Sequence, residues 1–131
     1  MFTYQIHIEY LGTQFVGWQI QKNGLSVQEV LEKVLSRFLK ENIKIIGSGR
    51  TDAGVHASEQ SAHFKTKSII KNKINFMNSI NFFLKKYPIS VLNLKKRLKN
   101  FHARHSAIKR TYNYLIINRN SSLAIEKNKA W

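Results

Sequence analysis

Cysteine is absent from the 131 residues, which excludes disulfides and thiolate zinc sites. No uninterrupted apolar run is long enough to cross a bilayer, so no membrane partner is expected. Acidic side chains are scarce: seven Asp and Glu stand against 22 Lys and Arg. Residues Met1 to Tyr10 carry no basic cluster and alternate apolar with polar, unlike a secretory signal. Together these absences predict a cytoplasmic protein.

What is present points to a polyanionic partner. The net charge is +15, and 43% of the residues are apolar, enough for one domain with a real core. Genomic drift toward Lys, Asn and Ile produces a similar composition. Charge by itself does not separate RNA, DNA and anionic lipid.

Phe2, Tyr4, Ile6, Ile8 and Tyr10 recur with period two, predicting a half-buried strand. Gly12 and Gly17 punctuate a polar loop from Leu11 to Leu25. Ser26 and Glu29 fit a capping box, and Val27, Val30, Leu31, Val34, Leu35, Phe38 and Leu39 follow at helical spacing. A helix is therefore predicted over Val27 to Lys40. Further strands are predicted at Ile43 to Ile46, Gln60 to Phe64 and Ile89 to Leu94. A second helix is read from Ile74, Met77, Ile80, Phe83 and Leu84, stopping before Pro88. Lys95 to Lys99 reads as a basic connector, Phe101 to Ala107 as a short extended piece, and Arg110 to Ile117 as a final strand with an open edge. Interleaved strands and helices with short loops predict an α+β fold, a mainly antiparallel sheet with two helices on one face. From Ser121 the chain is polar and weakly patterned.

The stretch Gly47-Ser48-Gly49-Arg50-Thr51-Asp52-Ala53-Gly54-Val55-His56-Ala57 carries the most chemistry. Its glycines allow crowded or left-handed backbone. Arg50 and Asp52, two apart, would project to one side of an extended segment, where the arginine favours an ionised carboxylate. The same pattern fits a tight turn with a surface ion pair.

Ser48 to Ala57 resembles the signature of the TruA-type pseudouridine synthases. Three further segments match that family in order. They are Tyr10-Leu11-Gly12-Thr13 with Phe15, Gly17, Trp18, Gln19 and Gln21; Gln60 to Phe64; and Phe101-His102-Ala103-Arg104 with Ser106-Ala107 and Arg110-Thr111-Tyr112-Asn113-Tyr114. The matches run nearly to Ile117. Leu11 departs from a common Asp, and His105 from a common aromatic such as Phe.

The resemblance implies that Asp52 is the nucleophilic aspartate, that Arg50 helps expel the target base, and that Tyr112 packs on the uracil. It implies tRNA as partner, uridine in the anticodon stem-loop as substrate, and a homodimer in full-length form. It also implies a fold of two similar α+β halves with the active cleft between them. Residues 1–120 would then be the N-terminal catalytic half, and 121–131 a linker or the start of a second half that supplies another arginine.

The chemistry needs no cofactor. The C1′–N1 bond breaks, the uracil turns and rejoins through C5, and nothing is oxidised or imported. Base flipping exposes the target, and an aromatic face retains the free uracil. Attack at C1′ and deprotonation at C2′ both remain open for Asp52. Read without the family, Tyr112 is an ordinary strand aromatic, while Trp18 and Phe15 either stack on RNA or anchor the loop. His56, His63 and His102 lack the close Cys, Asp or Glu partners that a metal site needs, so no metal is expected, and His56 reads as a brace for the loop. Lys95, Lys96, Arg97, Arg104, Lys109 and Arg110 read as RNA-phosphate contacts. The competing reading is a non-catalytic tRNA-binding module or RNA chaperone. A basic ribosome-associated protein would leave the glycine-rich loop without a purpose.

Overall fold

The computed structural model describes residues 1–130, so of the segment 121–131 only Trp131 lies outside the described residues. The alternating run at the start forms strand β1 (Phe2–Tyr10). With β2 (Ile45–Gly47), β3 (Ala57–Thr66) and β4 (Ile89–Arg97) it makes one sheet of order β2-β3-β1-β4, antiparallel throughout. Helices α1 (Val27–Leu39) and α2 (Lys73–Leu84) join the sheet in a single core. Val27, Val30, Leu31 and Leu35 of α1 and Phe76, Ile80 and Leu84 of α2 pack with Tyr4, Ile6 and Ile8 of β1. The period-two residues of β1 thus face the helices, and the fold is the expected α+β arrangement.

Side chains fix where the elements begin and how they dock. Ser26 Oγ accepts the Glu29 amide at 3.1 Å, the N-cap half of the expected box, while the Glu29 carboxylate lies 3.5 Å from Lys33 Nζ. The helix closes at Leu39 because Lys40 turns left-handed, φ 56°. Strand β2 starts two residues later than Ile43, because Ser36 Oγ takes the Ile43 amide at 2.8 Å and removes it from the ladder. The buried Glu32 carboxylate accepts the Ile45 amide at 2.9 Å, joining α1 to β2. At the other edge of the sheet Asn81 bonds both Val91 N and Val91 O, at 2.7 and 3.0 Å, and ties α2 to β4.

Four expectations change. The stripe of α2 is Phe76, Ile80 and Leu84, four residues apart, which leaves Ile74 and Phe83 outside the core. Lys95, Lys96 and Arg97 belong to β4 rather than a connector, since Gln5, Tyr4 and Thr3 of β1 supply ladder partners. Phe101 to Ala107 is turned, not extended: the Ser106 amide donates to His102 O at 2.7 Å. Arg110 to Ile117 forms no strand, because no neighbouring strand pairs with it among the described residues. The sheet edges are β2 and β4 instead.

The sheet face away from the helices is polar but not bare. Thr3 and Gln5 are buried there. Gln5 Nε2 donates to Ser61 Oγ at 2.7 Å and Gln5 Oε1 accepts from Arg97 Nε at 2.7 Å, which makes the burial tolerable. No described helix is long and apolar enough to cross a membrane.

Candidate active site

Two loops at the Tyr10 end of the sheet are locked backbone to backbone. The Trp18 amide donates to Thr51 O at 3.1 Å, and the Gly54 amide to Phe15 O at 3.3 Å. Contact this close requires glycine. A Cβ on Gly12 would lie 1.9 Å from Val55 O, and one on Gly17, where φ is +109°, 2.4 Å from Thr51 O. Phe15 and Trp18 are buried beneath the loops, so both serve as anchors. Tyr10 Oη and Thr51 Oγ1 share a 2.8 Å hydrogen bond, and burial pushes the Tyr10 phenol upward.

His56 braces the loop, as expected. Its Nδ1 accepts the Gly12 amide at 2.8 Å, and its Nε2 meets Asn128 O. The ring thus bridges the first loop to the residues near Asn128 through its two nitrogens. Gln60 Nε2 donates to Gly49 O at 2.5 Å. The Ser48 amide donates to Ser61 O at 2.8 Å.

An open cleft of about 1080 Å³ lies over this loop. Arg50, Thr51, His56, Lys109, Arg110 and Tyr112 are among its walls. Asp52 is exposed and follows Thr51 directly, but does not itself line the cleft. Arg50 and Asp52 were expected to sit together as an ion pair. No pair between them falls within 4.0 Å among the described residues. The chain turns there, with the Val55 amide bonded to Asp52 O at 3.1 Å, instead of running extended.

Tyr112 is 64% exposed, so it is not a core aromatic. Its hydroxyl would lie 3.7 Å from a Cβ built on Gly49, placing it against the loop. Arg110 turns inward. Its Nε and Nη2 donate to Ser48 O at 3.0 and 2.8 Å, and Nη2 also to Arg104 O at 3.0 Å. Lys95, Lys96 and Arg97 lie at the opposite end of β1, where Arg97 pairs with Thr3, roughly 20 Å along the strand from Tyr10. Lys96 Nζ lies 4.8 Å from the Phe2 ring centre, and Arg97 Cζ 5.1 Å from that of Phe101. The basic residues therefore form two groups joined by the Phe101–Ser106 turns.

His63 holds those turns to the sheet. It is 3% exposed, and its Nδ1 accepts the Ala103 amide at 3.0 Å. Burial, then the His102 and Lys65 charges, push it down to about 4. The sign follows from linkage. The unfolded chain binds this proton near pH 6.5 while the folded chain resists it. The stability is therefore whole above pH 6.5 and fades as pH falls toward 4. His7 is lowered too, chiefly by burial, and adds in the same direction. A loss of up to about 3 kcal/mol from His63 is expected between pH 7 and 4, read as urea midpoints. His63→Gln should flatten the profile; an unchanged profile would reject the assignment. No group of three or more His, Cys, Asp or Glu suited to a metal occurs among the described residues.

The sequence did not disclose the parts played by Gln60 and His63, although Gln60-Ser61-Ala62-His63-Phe64 stood out as a segment. The close spacing of Gly12 and Gly17 was the one signal of the loop-on-loop contact.

A four-stranded α+β domain thus braces an Arg-Thr-Asp loop with glycine contacts, beside an open cleft whose walls include Arg50, Lys109, Arg110 and Tyr112. The sequence model described as tRNA pseudouridine synthase matches residues 6–109, and the chain belongs to that family. Over all 131 residues it is 56% identical to tRNA pseudouridine synthase A of Pelagibacter ubique (strain HTCC1062), covering 53% of that protein. It is 46% identical over 129 residues, 98% of the chain, to tRNA pseudouridine synthase A of Ehrlichia ruminantium (strain Gardel), covering 52% of it. With the protein of the same name from Ehrlichia canis (strain Jake) the identity is 48% over 129 residues, 98% of the chain and 52% of that relative. The chain thus spans about half the length of the curated relatives it matches.

Proposed function

We propose that the chain is the catalytic half of a tRNA pseudouridine synthase that isomerises uridine in the anticodon stem-loop. The observation that carries this reading is the meeting of Arg50 and Tyr112 at one cleft beside the glycine-braced Asp52 loop. The target nucleotide flips out, at a cost of a few kcal/mol, and Arg50 fills the vacated stack. Asp52 attacks C1′ or removes the C2′ proton, and the C1′–N1 bond breaks. The freed uracil turns against the Tyr112 ring and C5 bonds to C1′, displacing Asp52 in the first route, while C2′ recovers its proton from Asp52 in the second; the C5 proton then leaves. N1 takes up one proton as C5 loses one, and every carbon, nitrogen and oxygen of the uridine is kept, so the isomerisation balances with no cofactor consumed.

Residues 1–120 form the catalytic half in this reading, and 121–131 lead toward a second half. Lys95, Lys96, Arg97, Arg104 and Lys109 run along the RNA phosphates, with Arg110 bordering the same cleft. The setting is the cytoplasm, and the full-length form is a homodimer.

Tritium release from C5-labelled uridine in tRNA tests the reading. Residues 1–131 joined to the second half of a relative should release tritium. A tRNA-binding module or RNA chaperone would bind without release. The 131-residue chain alone should bind tRNA weakly and release none, since Asp52 stands on an open face where water competes and no second arginine fixes it. Binding should weaken steeply with salt as lysine and arginine displace counterions, with a log–log slope of roughly −4 for five phosphate contacts. A flat plot in potassium chloride would reject the phosphate assignments.

A further inference from the structure

Two successive carbonyls ahead of Arg50 are each held by a side-chain donor from another part of the chain. Ser48 O receives two N–H groups of Arg110, at 3.0 and 2.8 Å, and Gly49 O receives Gln60 Nε2 at 2.5 Å. Peptide planes fixed in this way set the direction in which the backbone leaves toward Arg50 and Asp52. Arg110 does a second thing. Arg110 and Tyr112 also meet at one place on the loop. Both lie against Gly49: a Cβ there would be 3.8 Å from Arg110 Nε and 3.7 Å from Tyr112 Oη. Among the described residues, Arg110 makes the side-chain hydrogen bonds that join Ile108 to Ile117 to the rest of the protein.

We propose that Gln60 and Arg110 are positioning residues, a two-point clamp that aims the Arg50–Asp52 loop and seats Tyr112 over it. The catalytic consequence rests on the isomerase reading; the clamp itself does not. It requires a planar donor fork at 110 and an amide at 60. A lysine offers one mobile ammonium and cannot span Ser48 O and Arg104 O with the same geometry. A glutamate at 60 has no N–H to give Gly49 O.

Arg110→Lys separates the clamp from a phosphate contact, because lysine serves phosphate well as a point charge. Hydrogen exchange of the free 131-residue chain is measured at the Ser48 and Val55 amides, alongside tRNA affinity across salt. For Arg110→Lys and Gln60→Glu, exchange at Ser48 should rise about tenfold or more while β1 amides stay protected. Arg110→Lys should keep its tRNA affinity within about twofold and its salt slope unchanged. In the chain joined to a relative's second half, the same two variants should lower kcat about tenfold with KM nearly constant. Unchanged exchange in both variants would overturn the clamp. Loosened loops with parental kcat would overturn the positioning role. Since exchange is read on free protein, the clamp is judged whether or not the joined enzyme isomerises uridine.

Discussion

Asp52→Asn in the chain joined to a second half should lower isomerisation by about 1,000-fold or more. Its tRNA affinity should change less than about twofold. The substitution keeps shape and removes only the charge and the lone pair that acts at the sugar. Asp52 is the one carboxylate between Gly47 and Ala57, and no described ion pair uses it. Its backbone carbonyl, which accepts the Val55 amide at 3.1 Å, is untouched, so the loop should keep its form. Single-turnover tritium release with excess protein measures the step itself. Residual turnover within about tenfold of the parent would sink the assignment of Asp52.

Alanine at Gly12 or Gly17 should unfold the two-loop lock and destabilise the domain by about 3 kcal/mol or more. The obstacle at Gly12 is the Val55 carbonyl, 1.9 Å from the new Cβ, and at Gly17 the Thr51 carbonyl at 2.4 Å. Backbone cannot swing aside as a flexible side chain does. Gly17 adds a φ of +109°, which L-residues rarely adopt. Gly54→Ala is the control. It also has positive φ, +80°, but nothing stands within 4 Å, so its cost should be only about 1–2 kcal/mol. Thermal melts of the three variants should therefore rank Gly12 and Gly17 well below Gly54. Equal melting points would show that the loop contact contributes little.

Local pattern disclosed what local chemistry decides. The alternation in β1, the Ser26 cap and the α1 stripe need only neighbours in sequence, and each lies where the residues place it. Tyr112, Tyr114 and Ile116 alternate with Thr111, Asn113 and Leu115, yet alternation cannot supply a partner strand. Ile43 has strand character, but Ser36, seven residues earlier, takes its amide. Within the site, the Arg-Thr-Asp triplet was legible from motif alone. The inward turn of Arg110 was not, because the Ser48 carbonyl it binds lies 62 residues away and composition marks any exposed arginine as an anion contact. Gln60 and His63 likewise show their use only once β3 lies beside β1 and beneath the Ala103 turn.

The first strand made is one of the two central strands. β1 needs β3 on one side and β4 on the other, and Thr3 meets Lys65 and Arg97. At synthesis rates of ~5–20 residues per second, the stretch from Tyr10 to Arg97 takes roughly 4–17 s to be made. Throughout that interval Tyr4, Ile6 and Ile8, each buried in the finished domain, have no completed sheet to join. A nascent chain of this kind cannot fold by stepwise addition from its N-terminus. It should stay protease-sensitive on the ribosome until β4 emerges and then close in one cooperative step, with the non-local pairing that makes such folding slow.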